Sequence, residues 1–189
     1  VYLGLCIIIS ILFFINIASS QIYQNNLLSL RHSIFTTVSI ITTTGFSTEN
    51  FNDWPEMSKT LLFFLFFIGG SAGSTTGGMK IIRSILITKY LIFEVRKLLH
   101  PKGVFPIKIG KKVIPDEVVK NTLGFYLFYI FIFVITSVVY SITGLDLETS
   151  LTAAASAIGN IGPGLGSIGQ SNNWDHLTDF AKWVSSFTM

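Results

Sequence analysis

Thr42-Thr43-Thr44-Gly45-Phe46 lies between two apolar stretches, and 117 residues further on Gly159-Asn160-Ile161-Gly162-Pro163 stands in the same setting. Each is a glycine-centred string preceded by a segment, Ser33 to Ile41 or Asp146 to Ala157, too short to cross a hydrocarbon layer that needs about 20 helical residues. Main chain that leaves helical geometry inside lipid is tolerated only where protein encloses it or where it lines water. Two such bends ask for a cavity, and their recurrence points to an ion filter built from internal repeats.

Around these strings the chain is 50% hydrophobic and 12% charged, with 17 phenylalanines. Soluble domains carry roughly 25% charge, so the composition is that of a membrane protein. The formal charge of +3 is unevenly spread: ten lysines and arginines stand between Lys80 and Lys120 against Glu94, Asp116 and Glu117, and the remainder is net acidic. Short loops rich in Lys and Arg are retained inside the cell. The basic segment is therefore expected to be cytoplasmic, while Glu49, Asp53 and Glu56, and Asp146, Glu148 and Asp175, lie on outward connections. Membrane topology accounts for this charge without nucleic acid, for which the chain offers no recognition module. Cys6 is the single cysteine, sits in an apolar run and has no internal disulfide partner. With no starting Met and a last residue, Met189, inside an amphipathic run, the sequence is expected to be an excerpt of a longer chain.

Val1 to Ala18 reads as a membrane span rather than a signal peptide, having no clear cleavage pattern, and the segment before Thr42 as a re-entrant pore helix. Lys59 to Ile68 begins another apolar run, with Pro55 as its start signal. Its ten residues cover only about half of a roughly 30 Å hydrocarbon layer. The run meets Gly69, Gly70, Ser71, Ala72, Gly73, Ser74, Thr75, Thr76, Gly77 and Gly78 before helix resumes near Met79. Glycines weaken helix and let backbones approach closely, so this reads as a span broken at mid-membrane. The expectation is an intramembrane gate, a flexible constriction below the filter; close helix packing is the plainer reading of the same glycines. A phosphate cradle does not fit, because Met79 stands where a P-loop needs its lysine. Lys80 and Arg83, just beyond, either snorkel to lipid headgroups or contact the gate.

From Glu94 to Lys120, interrupted by Pro101, Pro106 and Pro115, a connector is expected, with local helix or hairpin around Val104 to Val113. Asn121 to Tyr140 carries no formal charge and is the clearest full span. Asp146 to Ala157 reads as a second short helix, with acids at its start and the small run Ala153 to Ala157 at its end. Gly159 to Gly166 breaks it, and Trp174 to Met189 begins another helix. The order is span, short helix, loop, span, twice over. The fold class is an all-α membrane protein of tandem helix, re-entrant pore helix and helix repeats, like a potassium-channel pore: a first repeat at 1–93, the basic connector at 94–120 and a second repeat at 121–189.

An ion filter replaces part of a hydration shell with oxygens held around one axis, and backbone carbonyls of a glycine-containing loop do this, with threonine hydroxyls adding oxygen. The loops match by role, Thr43 with Asn160, Thr44 with Ile161, Gly45 with Gly162 and Phe46 with Pro163. The negative end of each short helix, if it points to mid-membrane, favours a cation, and neither loop holds a basic residue. His32, His100 and His176 are far apart in this topology. With neither a convergent metal cluster nor a Ser/His/Asp arrangement, no enzymatic catalysis is expected.

The strings TTTGFST at Thr42 to Thr48, GGSAGSTTGGMKI at Gly69 to Ile81 and GNIGPGLG at Gly159 to Gly166 closely resemble the membrane subunits of bacterial Trk/Ktr-type potassium uptake systems. The resemblance covers essentially the whole sequence. It implies four linked repeats around one ion path, of which this chain carries the third and fourth, the last helix incomplete. It assigns the filter to Gly45 and Gly162, with potassium near Thr43, Thr44, Gly45, Asn160, Ile161 and Gly162, and the gate to Gly69 through Gly78. It further implies a homodimer in the bacterial inner (plasma) membrane, multi-pass, and a cytoplasmic regulatory ring that binds nucleotide. The only cargo is potassium, with no cofactor in this chain. The fourth filter has no threonine at Gly159 to Pro163, so its environment is asymmetric. A sodium- or proton-coupled secondary transporter, whose binding sites also use broken helices, and a non-conducting membrane scaffold remain the alternatives.

Overall fold

Helix α1, Tyr2–Ser19, is apolar on every face, so local sequence gives it no preferred side. Its inner side is defined by what packs there: Phe13 and Ile17 are fully buried against the next two helices, while Leu3, Ile7 and Ile8 stay exposed. The computed structural model describes residues 2–100, 103, 105–110, 112–170 and 174–189. Two helices, α1 and α5 (Asp116–Ile142), are long and apolar enough to cross a membrane, with mean hydropathies of 2.3 and 2.2. Leu127, Phe128 and Phe131 of α5 are 69%, 62% and 61% exposed. An apolar core helix of a soluble domain hides such a surface; these helices present it outward, as helices facing lipid or further protein do.

The chain makes two three-helix groups of the same order. In the first, α1 is followed by α2 (Asn26–Ile41), a loop, and α3 (Glu56–Leu65), each packed on the other two. In the second, α5 is followed by α6 (Leu147–Gly159), a loop, and α7 (Asp179–Thr188), again mutually packed. Between them runs α4 (Ile81–Leu99), which packs on α5, and a hairpin of strands β1 (Lys108–Ile109) and β2 (Lys112–Val113) paired antiparallel. Phe63 of α3 and Phe67 just beyond its end meet Phe133 of α5 at ring-centroid distances of 6.4 and 5.0 Å, joining the groups. One buried cluster carries Phe13, Ile41, Phe51 and Leu62 from the first group together with Ala155, Ile161 and Leu165 from the second.

The architecture is all-α apart from that hairpin, as expected, but several boundaries move. Helix α2 starts at Asn26 rather than Ser33, because Asn25 caps it by accepting a hydrogen bond from Leu27 N at 2.9 Å. At 16 residues it spans about 24 Å, still less than a hydrocarbon layer. Helix α4 begins at Ile81 rather than near Met79 and runs to Leu99, and α5 begins at Asp116 rather than Asn121, with Pro115 preceding two acids in its first turn. Both ends of the expected connector are thus helical, over 94–99 and 116–120. The expected hairpin is present at Lys108 to Val113, whereas Pro101 and Val104 lie outside the described residues. Helix α6 extends to Gly159, two residues past the expected Ala157.

The two short helices bury polar rather than apolar faces. Ser29, Ser33, Thr36 and Thr37 of α2 and Thr149, Ser150, Thr152 and Ser156 of α6 are all buried. Several answer to their own helix: Ser33 Oγ donates to Ser29 O, Thr37 Oγ1 to Ser33 O and Thr152 Oγ1 to Glu148 O. That back-bonding satisfies these three hydroxyls inside the bundle, whereas Ser29 Oγ and Thr36 Oγ1 are buried without a hydrogen-bond partner among the described residues. The fully buried Ala153, Ala154, Ala155 and Ala157 then allow α6 to approach its neighbours closely.

Asp146 caps α6, its Oδ2 accepting from Thr149 N at 3.1 Å. Hydrogen bonding to the Thr149 hydroxyl and then to the backbone holds its carboxyl below the usual range. Asp146→Ala is expected to lower stability by about 1 kcal/mol. A depressed carboxylate stabilises the folded state above its unfolded pKa of about 3.9, and that contribution disappears as pH falls through the folded value. Thermal unfolding of the detergent-solubilised protein should therefore separate wild type from Asp146→Ala at neutral pH, the gap closing as the pH falls below about 4.

Candidate functional site

The two glycine-centred strings form the same turn. After α2, Thr43 N bonds Ile40 O at 3.0 Å and Thr44 N bonds Ser39 O at 2.9 Å. After α6, Asn160 N bonds Ala157 O at 3.1 Å and Ile161 N bonds Ser156 O at 3.0 Å. The left-handed residues recur at the same steps: Thr43 at φ +52 with Gly45 at +74, and Asn160 at +55 with Gly162 at +109. A β-branched residue such as Thr43 rarely adopts positive φ, whereas Asn tolerates it. Ser39 and Ser156, also 117 residues apart, sit under both turns. Ser39 Oγ donates to Phe46 O, and Ser156 Oγ accepts from Gly162 N at 3.0 Å.

These turns touch. A Cβ placed on Gly45 would fall 1.9 Å from Ile161 O and 2.9 Å from Pro163 Cδ, an approach only glycine permits. Beyond the turns the two loops are pinned together. Asn52 donates from Nδ2 to Gly166 O at 2.9 Å and accepts Gly166 N on Oδ1 at 3.1 Å, an amide acting as a strand partner across 114 residues. On the first side His32 Nδ1 shares a 2.7 Å hydrogen bond with Thr48 Oγ1, and its Nε2 lies 3.9 Å from Glu49. On the second, Trp174 Nε1 donates to Gly162 O at 3.1 Å, while Thr149 Oγ1 and Thr152 Oγ1 accept from Ser167 N and Leu165 N at 3.0 Å.

Between α3 and α4 the helical path is lost. Gly69 pairs with Lys80 as an isolated parallel bridge, Gly69 N bonding Met79 O at 2.7 Å and Ile81 N bonding Gly70 O at 3.2 Å, so the ten residues between leave and return at one point. Inside the loop Gly70 N bonds Thr76 Oγ1 at 3.1 Å and Lys80 Nζ bonds Ser74 O at 2.9 Å; Ser71, Ala72, Gly73 and Thr75 are exposed. The returning limb lies against both turns. Gly77 N donates to Thr43 Oγ1 at 3.3 Å, and a Cβ on Gly77 would meet Gly159 O at 2.4 Å and Asn160 Cβ at 2.8 Å.

The family model described as TrkH, cation transport protein, matches residues 2–189. The chain belongs to the TrkH cation transport family. It is similar to the Trk system potassium uptake protein TrkH of Vibrio parahaemolyticus, 42% identical over 157 residues that are 83% of this chain and 32% of that one. It is also similar to TrkH of Escherichia coli K12, 34% identical over 164 residues (87% and 34%), and to the Trk system potassium uptake protein TrkG of the same organism, 31% identical over 161 residues (85% and 33%). The crystal structure of the potassium transporter TrkH from Vibrio parahaemolyticus superposes with a TM-score of 0.90 at 36% identity, covering 100% of this chain and 40% of that one. The chain thus spans about a third of the length of the curated relatives it matches.

In this TrkH-family chain Gly45 lies against Ile161 and Pro163, Thr43 and Asn160 both contact Gly77, and Phe46 is 72% exposed. Of the two cations beyond the glycine loop, Lys80 contacts the loop itself and Arg83 stacks 3.9 Å over the Phe125 ring. Lys182 bonds Asp175 O at 2.8 Å. Sequence reasoning missed Ser39 and Ser156, although the shared 117-residue offset was available to find them. Asn52 carried no such signal, because its partner Gly166 lies 114 residues away, and Trp174 reaches Gly162 only through the fold of the loop between them.

The paired turns differ in one testable respect. Gly45→Ala meets both a left-handed backbone and the Ile161 carbonyl, whereas at Gly162 a Cβ meets nothing within 4 Å and only the backbone resists. Gly162→Ala should cost about 1–3 kcal/mol for its dihedrals and Gly45→Ala clearly more. Thermal unfolding of the two variants beside wild type checks the order.

Proposed function

We propose that this chain is the third and fourth pore repeats of a potassium uptake subunit, at 1–93 and 121–189 with a cytoplasmic connector at 94–120, in the multi-pass inner (plasma) membrane. The observation that carries the reading is the contact of Gly45 with the Ile161 carbonyl between two turns of matching dihedrals. Two copies of one turn meeting side by side are half of a ring of carbonyls. Both short helices end at these turns, so their negative ends favour a cation there. The relatives named above are potassium uptake proteins, which supports potassium as the ion.

In this reading the outward acids, Glu49, Asp53, Glu56, Asp146 and Glu148, concentrate cations at the mouth. The ion sheds water between Thr43, Thr44 and Gly45 on one side and Asn160, Ile161 and Gly162 on the other, then meets the Gly69 to Gly78 loop. Because Gly77 lies against both Thr43 and Gly159, the loop obstructs the path directly beneath the filter. Opening requires the limb to withdraw, breaking the Gly77 to Thr43 hydrogen bond. The full-length subunit works as a homodimer, with the basic cytoplasmic face docking a nucleotide-binding regulatory ring. No covalent chemistry is involved.

The test expresses the full-length parent chain in cells unable to accumulate potassium and compares growth at limiting potassium. Wild type restores growth, and Gly45→Asp and Gly162→Asp reduce it to that of the empty host; undiminished rescue by both would remove these loops from the ion path. Thr43→Val deletes the acceptor for Gly77 N at nearly constant volume, and a hydrogen bond of this kind contributes about 1 kcal/mol. Its basal potassium flux in liposomes should rise by up to about fivefold if the loop is the barrier.

A further inference from the structure

Where α4, the β1–β2 hairpin and the start of α5 come together, a cavity of about 510 Å³ opens away from the two turns. Its walls are apolar, built from Leu86, Ile109, Ile114 and Val118, while Arg83, Lys112 and Asn121 supply polar groups. Among the described residues, no carboxylate lines it and neither cation has an acidic partner within ion-pair distance. Arg83 is held instead by the Phe125 ring, 3.9 Å from its guanidinium carbon, and Lys112 is exposed on the hairpin. Thr122 is no competitor for a ligand, since its hydroxyl donates to Val118 O at 2.8 Å.

The cavity's depth along α5 decides what fits. Asp116, Glu117 and Lys120 are the last charges before a stretch that carries none until Asp146. The cavity is lined by Val118, Asn121, Thr122 and Phe125, which straddle that boundary. In a membrane-crossing helix this is the level where headgroups give way to acyl chains. A free anion would want polar walls, and a purely apolar ligand would leave two unpaired cations facing it. A molecule with an anionic head and a hydrocarbon tail satisfies both, and basic pockets between membrane helices at this level hold such headgroups.

We propose that this cavity is a binding site for an anionic glycerophospholipid, its phosphate between Arg83 and Lys112 and an acyl chain along Leu86, Ile109 and Val118. The lipid braces the hairpin against α4 and α5, and so holds the helix that leaves the glycine loop at Lys80. The inference rests on α5 crossing the bilayer and not on potassium conduction, so failure of the growth test above would leave it standing.

The full-length parent protein, purified in detergent, is titrated with phosphatidylglycerol, phosphatidylcholine or inorganic phosphate, with retained lipid counted by native mass spectrometry and melting followed in parallel. Phosphatidylglycerol should be retained and raise the melting temperature, phosphatidylcholine should do neither, and phosphate should not displace the lipid at equal concentration. Arg83→Gln and Lys112→Gln should each weaken phosphatidylglycerol retention roughly fivefold. Lys112 is exposed, so Lys112→Gln keeps the test readable if Arg83→Gln does not fold. Equal retention of both lipids, displacement by phosphate alone, unchanged retention in Lys112→Gln, or no retention because another part of the parent chain fills the cavity would each overturn the proposal.

Discussion

A chain that abandons helix inside an apolar layer must still give every backbone N–H and C=O a partner, and the rest of this structure follows from how the two turns meet that demand. The first non-helical N–H groups fold back onto the last helical carbonyls, Thr44 onto Ser39 and Ile161 onto Ser156. The same two serines use their hydroxyls further along the loops, Ser39 two residues past Thr44 at Phe46 O and Ser156 one residue past Ile161 at Gly162 N. One is a donor and the other an acceptor, so the repeats solve the problem with the same residue in opposite roles. The geometry costs left-handed dihedrals at two positions in each turn. Thr43 bears that strain with a β-branched side chain, which is tolerable because its hydroxyl is engaged by Gly77 N.

Holding the turns in register with each other is a separate task. Asn52 and Gly166 supply two hydrogen bonds between the outer loops, in the geometry of a strand pair. Thr149 and Thr152 fasten the second loop to α6, while His32 fastens the first to α2 through Thr48. Each of these side chains leaves a helix or turn already fixed by packing, so the loops inherit rigidity from the bundle. Thr149, Thr152 and Ser156 of α6 and Ser39 of α2 act as short polar arms toward the loops, a task large apolar residues could not perform, whereas Ser33 and Thr37 of α2 bond their own helix.

Much of this was legible in the residues. The recurrence at Thr42 and Gly159, the glycine break at Gly69 and the uncharged run after Asn121 are local compositional signals, and the elements they imply are present. The start of α2 was hidden because Ser29, His32 and Ser33 depress hydropathy, although Asn25 is a readable cap. Hydropathy likewise placed the start of α5 at the last charge, whereas Pro115 followed by Asp116 and Glu117 is a helix-start signal. Asp116 and Glu117 complement the dipole at the helix start, while their charge keeps them out of the hydrocarbon layer, so counting only apolar residues discards the first turn of α5. Contacts such as Asn52 with Gly166 depend on how two loops meet, and no local pattern encodes that.

The contact of the glycine loop with both turns ties the two repeats together through a third element. Gly77 donates to Thr43 on one turn and lies within a methyl's width of Gly159 and Asn160 at the other. Thr43 and Asn160 are the left-handed corners of their turns, so the limb rests on the two most strained points of the pair. A limb seated there braces dihedrals that the turns alone hold at a cost. Glycine at 77 is required for the seat, because any side chain would hold the limb away. The bridge between Gly69 and Lys80 gathers the loop at its base, and Lys80 spans it to Ser74 O. Turns and loop are thus one packed unit, joined where Gly77 meets Thr43, Gly159 and Asn160.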